Sequence, residues 1–296
     1  MKFFFSVKSS IFISLLCFII SIYFSGINNR PEIYQKNIQR NFFKNENVEY
    51  LNIKKKFFNF NYNEKIFFKN LKQITVPVKK AIGNGVGTAF KLNTKTWITA
   101  RHVVFDCSSV YLDKKKVEKI ILTDSSDIAI LILDSDFTNL DYKNFDNFNN
   151  PIFDNKIKIG EEVVSIGFPS GFPGQARLSY LGYQKMYQKG NYNLIEPVRV
   201  WVERDRYPTN LKNMGGISGG LLYSNRNGLV GIHVANSIRK GRAYSITEYS
   251  LYKIISILNN NNNPIFKKNI LMNNNWIEIS NYFRENGLIK KIFCSR

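Results

Sequence analysis

Residues 85–104 read GVGTAFKLNTKTWITARHVV. Two short apolar runs, GVGTAFKL (85–92) and TWITA (96–100), flank the polar residues Asn93, Thr94 and Lys95. Runs of this length, rich in β-branched and aromatic residues, are strand-like. His102 follows the second run, where the pattern enters a short helical turn. It is one of only 2 histidines in the chain, the other being His233. A general base needs such a place, rigidly held and facing a cleft.

The same pattern continues outward. ITVPV (74–78) precedes it, and VYL (110–112), IAILIL (128–133), EVVSIGF (162–168), EPVRVWV (196–202) and GLVGIHV (228–234) follow. Gly, Asn, Asp or Pro separates these runs, so an all-β sandwich or barrel is predicted over residues 73–258. A first half, 73–150, and a second, 151–258, divide it. SITEYSLYKIISIL (245–258) switches to helical spacing and predicts a C-terminal helix closing the domain. An Asn run fills 259–263, and the tail 259–296 reads as partly helical. Residues 28–72 are basic and weakly periodic, which predicts a linker. No repeat is visible.

With 296 residues, 44% of them hydrophobic and 15% aromatic, the chain can build a substantial core, which excludes general disorder. The formal charge of +20 is spread along the whole length among Asn, Ile, Phe and Tyr. No nucleic-acid partner is therefore expected, whereas acidic partners and anionic membrane faces suit such a surface in a salt-sensitive way. Of the 3 cysteines, Cys17 lies in an apolar run, and Cys107 and Cys294 could pair in an oxidising compartment. No CxxC or Cys/His cluster is present, so neither a metal nor another cofactor is expected.

After Lys2 and Lys8, the stretch IFISLLCFIISIYFSGI (11–27) carries no charge. It sits at the short edge of what crosses a bilayer core of about 30 Å. Tyr23 and Phe24 before Ser25-Gly26 make a poor cleavage site, so a signal anchor is favoured over a cleaved signal peptide. Lys2 and Lys8 would keep the N-terminal side in the cytoplasm, leaving the rest anchored outside it, or secreted.

Ser218 stands in Gly215-Gly216-Ile217-Ser218-Gly219-Gly220. A serine among glycines fits a tight turn whose N–H groups converge, and those of Gly216 and Ser218 would form an oxyanion hole. Asp127 opens DIAILIL (127–133). A carboxylate at the mouth of a buried strand can accept the imidazole N–H and fix its tautomer, with Asp124 as the runner-up.

His102, Asp127 and Ser218 follow one another in the order of the chymotrypsin-type enzymes. TARHVV, DIAIL and GGISGG resemble three signatures of the trypsin-like serine peptidases, and VVSIGFPSG resembles a strand of their bacterial members. The resemblance covers about residues 80 to 258. It implies two perpendicular six-stranded antiparallel β-barrels, with His102, Asp127 and Ser218 as a catalytic triad in the cleft between them. It further implies a serine endopeptidase that works through an acyl-enzyme on protein or peptide substrates. Ile217 departs from the Asp that digestive members carry before the serine, which makes the chain more similar to bacterial glutamyl endopeptidases and HtrA-type enzymes. No PDZ module is visible after residue 258.

His233 lies in GLVGIHVANS (228–237), which resembles the GIH strand of glutamyl endopeptidases and of viral proteases that cleave after Glu or Gln. The resemblance implies that His233 contacts the P1 side chain and that Asn213 and Lys212 fall among further pocket residues. An imidazole N–H at the pocket base donates to a carboxylate or amide, and as imidazolium it also neutralises charge. The competing expectation is a non-catalytic or self-processing protein of the same fold that binds acidic partners through its basic surface.

Overall fold

The short apolar runs all appear as strands. The computed structural model describes residues 48–51, 69–78, 82–134, 157–226, 228–237, 241–247, 250, 251, 254 and 275–296. The apolar stretch 11–27, most of the linker and the Asn run lie outside them. No helix among the described residues is long and apolar enough to cross a membrane.

In chain order the strands are β1 (Val48–Leu51), β2 (Gln73–Val78), β3 (Gly85–Lys91), β4 (Thr96–Thr99), β5 (Ser109–Leu112), β6 (Lys115–Lys116), β7 (Lys119–Thr123) and β8 (Ala129–Ile132). Then come β9 (Glu162–Gly167), β10 (Gly174–Gly190), β11 (Leu194–Tyr207), β12 (Leu221–Ser224), β13 (Gly228–Ser237), β14 (Arg242–Ile246) and β15 (Ile289–Ser295). Two helices concern us, α1 (Arg101–Val104) and α2 (Trp276–Glu285).

The strands form two curled sheets of the chymotrypsin type. One runs β1-β7-β8-β4-β3-β15-β5-β6, antiparallel except where β1 joins β7. The other runs β11-β14-β13-β12-β9-β10-β2, and because β11 also pairs with β10, its six antiparallel strands close into a barrel. Closure removes the free edges of those six strands and leaves β2 as the outer strand of the sheet among the described residues.

Trp97, Ile98, Leu122, Ile130 and Ile292 are buried in the first sheet, where consecutive residues of β4 are covered on both faces. Leu178, Tyr180, Trp201, Ile217, Leu222 and Val230 form the core of the second. Trp201 satisfies its buried indole N–H on Ser245 Oγ, 2.9 Å away.

Three placements differ from the sequence expectation. β2 lies in the first half, yet it pairs in parallel with the outer end of β10 in the second sheet. The tail yields α2, capped by the Asn275 side chain, and then β15, which enters the first sheet between β3 and β5. Ser245 and Ile246 complete β14, and of the residues described after it 250, 251 and 254 are helical. Cys107, just past α1, is disulfide-bonded to Cys294 of β15.

Candidate active site

α1 starts where β4 ends, and it turns His102 toward the loop between β7 and β8. That loop is pinned from within, because Thr123 Oγ1 donates to Ser126 O at 2.6 Å and to Ile128 O at 3.0 Å. It presents Asp127 fully buried, whereas the runner-up Asp124 is exposed. His102 meets Asp127 twice. Its backbone N–H donates to Oδ1 at 2.9 Å, and its Nδ1 lies 2.7 Å from Oδ2. A carboxylate there requires the proton on Nδ1, which leaves Nε2 free to accept one. Burial pulls the imidazole pKa down, but the charge and hydrogen bond of Asp127 outweigh it and the net shift is upward.

Ser218 sits in two consecutive tight turns. Ile217 N donates to Met214 O at 3.1 Å, and Gly220 N donates to Ile217 O at 2.8 Å. Ile217, where other members carry Asp, is fully buried in the second core and anchors the turn there. Burial of such a side chain contributes about 1.5–3 kcal/mol. The turn is also tied to both sheets. Thr88 N donates to Ser218 O at 2.9 Å, and Gly219 N donates to His233 O at 2.8 Å. Thr88 Oγ1 donates to Gly216 O at 2.8 Å and accepts from Phe168 N at 3.0 Å.

Two glycines are required here. Gly216 has φ of +95°, and a Cβ on it would lie 2.7 Å from Phe168 O. Gly219 has φ of +86°, and its Cβ would collide with Thr88 O and Thr99 Oγ1 and reach 3.0 Å from Ala100 N. The Ser218 turn is thus pressed against the start of the helix that carries His102. Along the turn the N–H groups of Ile217 and Gly219 are spent on carbonyls, while those of Gly216 and Ser218 have no acceptor among the described residues. An alternating pair of free donors is what an oxyanion requires.

Three side chains of the second sheet reach across to Asp127, and the sequence reading did not single them out. β10 and β11 extend as a long arm beyond the barrel, with Asn191–Asn193 at its tip. Gln188 Nε2 donates to Asp127 Oδ2 at 2.6 Å, and the Tyr192 hydroxyl lies 3.4 Å from Oδ1. Glu196 Oε1 accepts from Asp127 N at 2.9 Å, and its Oε2 accepts from Ser126 Oγ at 2.7 Å. The Arg101 guanidinium is buried against the Tyr192 ring, 4.3 Å from its centroid. A signal was present for Glu196, since it alternates in phase with the buried Leu194, Val198 and Val200.

His233 is buried on β13, with Nδ1 2.9 Å from Ser165 Oγ and Nε2 2.9 Å from Asn236 Oδ1. An amide oxygen only accepts, so the ring proton sits on Nε2, and Nδ1 takes the Ser165 hydroxyl proton. Burial drives the His233 pKa down to about 4, assisted by the charge of His102 and opposed by the Asn236 hydrogen bond. The ring is therefore neutral at ordinary pH, and the charge neutralisation expected of an imidazolium does not apply. Asn213 and Lys212 are exposed on the loop before the Ser218 turn, where Asn213 Oδ1 accepts from Gly215 N at 2.9 Å.

Residues 87–232 match the family model of the trypsin-like peptidase domain. The sequence matches no curated protein. Among solved structures, the active form of the M. tuberculosis protease Rv3671c is 18% identical, with 57% of this chain and 72% of that one covered and a TM-score of 0.43. The MamO protease domain of Magnetospirillum magneticum is 13% identical over 57% of this chain and 94% of its own, with a TM-score of 0.39. The NS6 protease of murine norovirus 1 is 16% identical over 54% and 85%, with a TM-score of 0.37. By its sequence match, the chain carries a trypsin-like peptidase domain over residues 87–232 and is a serine endopeptidase.

Proposed function

We propose that this peptidase cleaves with Ser218 as nucleophile, His102 as general base and Asp127 as the acid that orients it. The contact of His102 Nδ1 with Asp127 Oδ2 at 2.7 Å, beside a turn pressed onto Ala100, carries the proposal. Ser218 Oγ attacks the scissile carbonyl carbon as its proton passes to His102 Nε2. The oxyanion so formed takes the N–H groups of Gly216 and Ser218. The imidazolium, held by Asp127, gives its proton to the leaving amine nitrogen as the C–N bond breaks. A water, deprotonated by the same nitrogen, then splits the acyl-enzyme.

The S1 reading follows from His233. Its Nε2–H is spent on Asn236 in the free protein, so a P1 side chain must replace that amide oxygen with an acceptor of its own. Glu and Gln both offer one. A neutral ring gives Glu no advantage of charge over Gln, and a residue that cannot accept leaves a buried donor unpaired, at about 1–3 kcal/mol. Asn213 and Lys212, exposed polar groups on the loop before Ser218, are the further pocket residues of this reading. Incubating the full chain with a peptide library tests both parts. Cleavage after Glu and Gln, lowered roughly 10⁶-fold in Ser218→Ala, is expected. His233→Ala should erode the preference while acylation continues. Best cleavage after Arg, Lys or bulky apolar residues would remove the S1 assignment and leave the nucleophile standing.

The same proposal places the domain outside the cytoplasm, held by residues 11–27. The disulfide between Cys107 and Cys294 supports it, because such bonds persist in oxidising compartments. The protein should sediment with membranes and resist extraction by salt, and recovery as a soluble shortened form would establish secretion instead.

A further inference from the structure

We infer that Glu196, outside the triad, is a positioning residue for Asp127: its carboxyl fixes the loop on which Asp127 stands, and its charge state sets how basic His102 is. The inference rests on the reading of His102 and Asp127 as base and orienting acid.

Geometry comes first. Glu196 is 2% exposed, and both of its oxygens are engaged by adjacent residues of one loop, Oε1 by Asp127 N and Oε2 by Ser126 Oγ. It belongs to the second sheet and the loop to the first, so the two bonds lock the acid of one sheet to a strand of the other. Gln188, from the partner strand of the same arm, holds Asp127 Oδ2, the oxygen that also meets His102 Nδ1. Asp127 thus faces the ring with its backbone and its carboxylate both tethered to the arm.

Charge comes second. The groups facing Glu196 are the Asp127 carboxylate, the Arg101 guanidinium and the Tyr192 phenol, with Ser126 as a neutral partner. Burial, and after it the negative charge of Asp127, push the Glu196 pKa up to about 8, against the pull of its two hydrogen bonds and of Arg101. Burial keeps the Tyr192 phenol protonated well above its ordinary range. At neutral pH Glu196 is therefore mostly protonated and Asp127 holds the negative charge of the pair. As pH rises through about 8, Glu196 ionises and a second negative charge appears behind Asp127. The imidazolium form of His102 becomes easier to make, which strengthens the base. A purely mechanical brace would have no such effect.

The test uses the 2 histidines of the chain, whose ring signals are few enough to follow by NMR in the full-length protein. Ring shifts of His102 are recorded across the pH range, beside kcat and KM on a peptide the wild type cleaves. In the wild type the His102 shift should show its own step and a second inflection near 8. Glu196→Gln keeps an oxygen for Asp127 N and an amide for Ser126, so it should retain kcat within about threefold at neutral pH and lose the second inflection. Glu196→Ala removes the brace and should lower kcat by about tenfold to a hundredfold with KM unchanged, as a misplaced catalytic group does. A second inflection that survives in Glu196→Gln, or wild-type kcat in Glu196→Ala, overturns the inference. If Glu196→Ala does not fold, the Gln variant against wild type decides. A wild type that cleaves no peptide yet shows the Gln-sensitive inflection would instead remove the triad reading.

Discussion

His102 holds a proton more tightly than a free imidazole because burial, which opposes the charge, is outweighed by Asp127. In the proposed mechanism the catalytic form is the neutral one, so activity should be lost as pH falls through a pKa raised from the ordinary 6.5. The acid limb of kcat/KM should therefore lie above that ordinary value in the wild type and move down in Asp127→Asn, whose kcat should fall about 10⁴-fold. An unmoved limb would detach Asp127 from the base. Gly219→Ala should be nearly inactive, since its methyl meets Thr88 O and Thr99 Oγ1 and pushes the turn off Ala100. A displacement of about 1 Å costs on the order of a hundredfold, so wild-type turnover in a folded Gly219→Ala would show that the turn has slack. At this scale the sequence was informative where chemistry is rare. One of 2 histidines, a serine among glycines and an aspartate before an apolar run stood out without a partner being known. Gln188 did not, because it acquires meaning only from the residue it touches across the fold, and Glu196 showed no more than its phase with buried neighbours.

The β10–β11 arm shows the same limit one level up. Its alternation was readable as strands, but nothing local indicates that it overshoots its barrel and braces the other sheet. Its outer half is supported by β2, which pairs with Lys185–Gly190 and so backs the segment that carries Gln188. Asn191 N donates to Val78 O at 3.1 Å, tying the tip to the same strand. Removing residues 73–78 should therefore lower kcat about tenfold while KM changes little, since the arm positions Asp127 and touches no substrate. Equal losses in kcat and in binding would place β2 at the substrate cleft instead. ITVPV was visible as a strand, yet its sheet was not, because alternation specifies a buried face and leaves the neighbour open. β15 was missed altogether. Its KKIFC core is short and basic, and its buried residues Ile289, Ile292 and Cys294 follow no strict period of two.

Across the whole molecule, the disulfide and β15 act together. The bond from Cys107 to Cys294 fastens β15 beside the helix that bears His102 and spans 187 residues of sequence. Cross-links over long loops contribute about 2–4 kcal/mol, which at about 2–4 °C per kcal/mol for a domain of this size means a lower Tm by roughly 5–15 °C on reduction. Cys294→Ala should match reduced wild type in a melting experiment, and an unchanged Tm in both would show that β15 holds by its ladder alone. β15 also sets a schedule for synthesis. β15 stands between β3 and β5, so the sheet that precedes His102 can be completed only once residues 289–295 have been made. If the proposed base needs that sheet closed around it, a chain stopped before residue 289 is expected to cleave nothing even though it carries His102, Asp127 and Ser218.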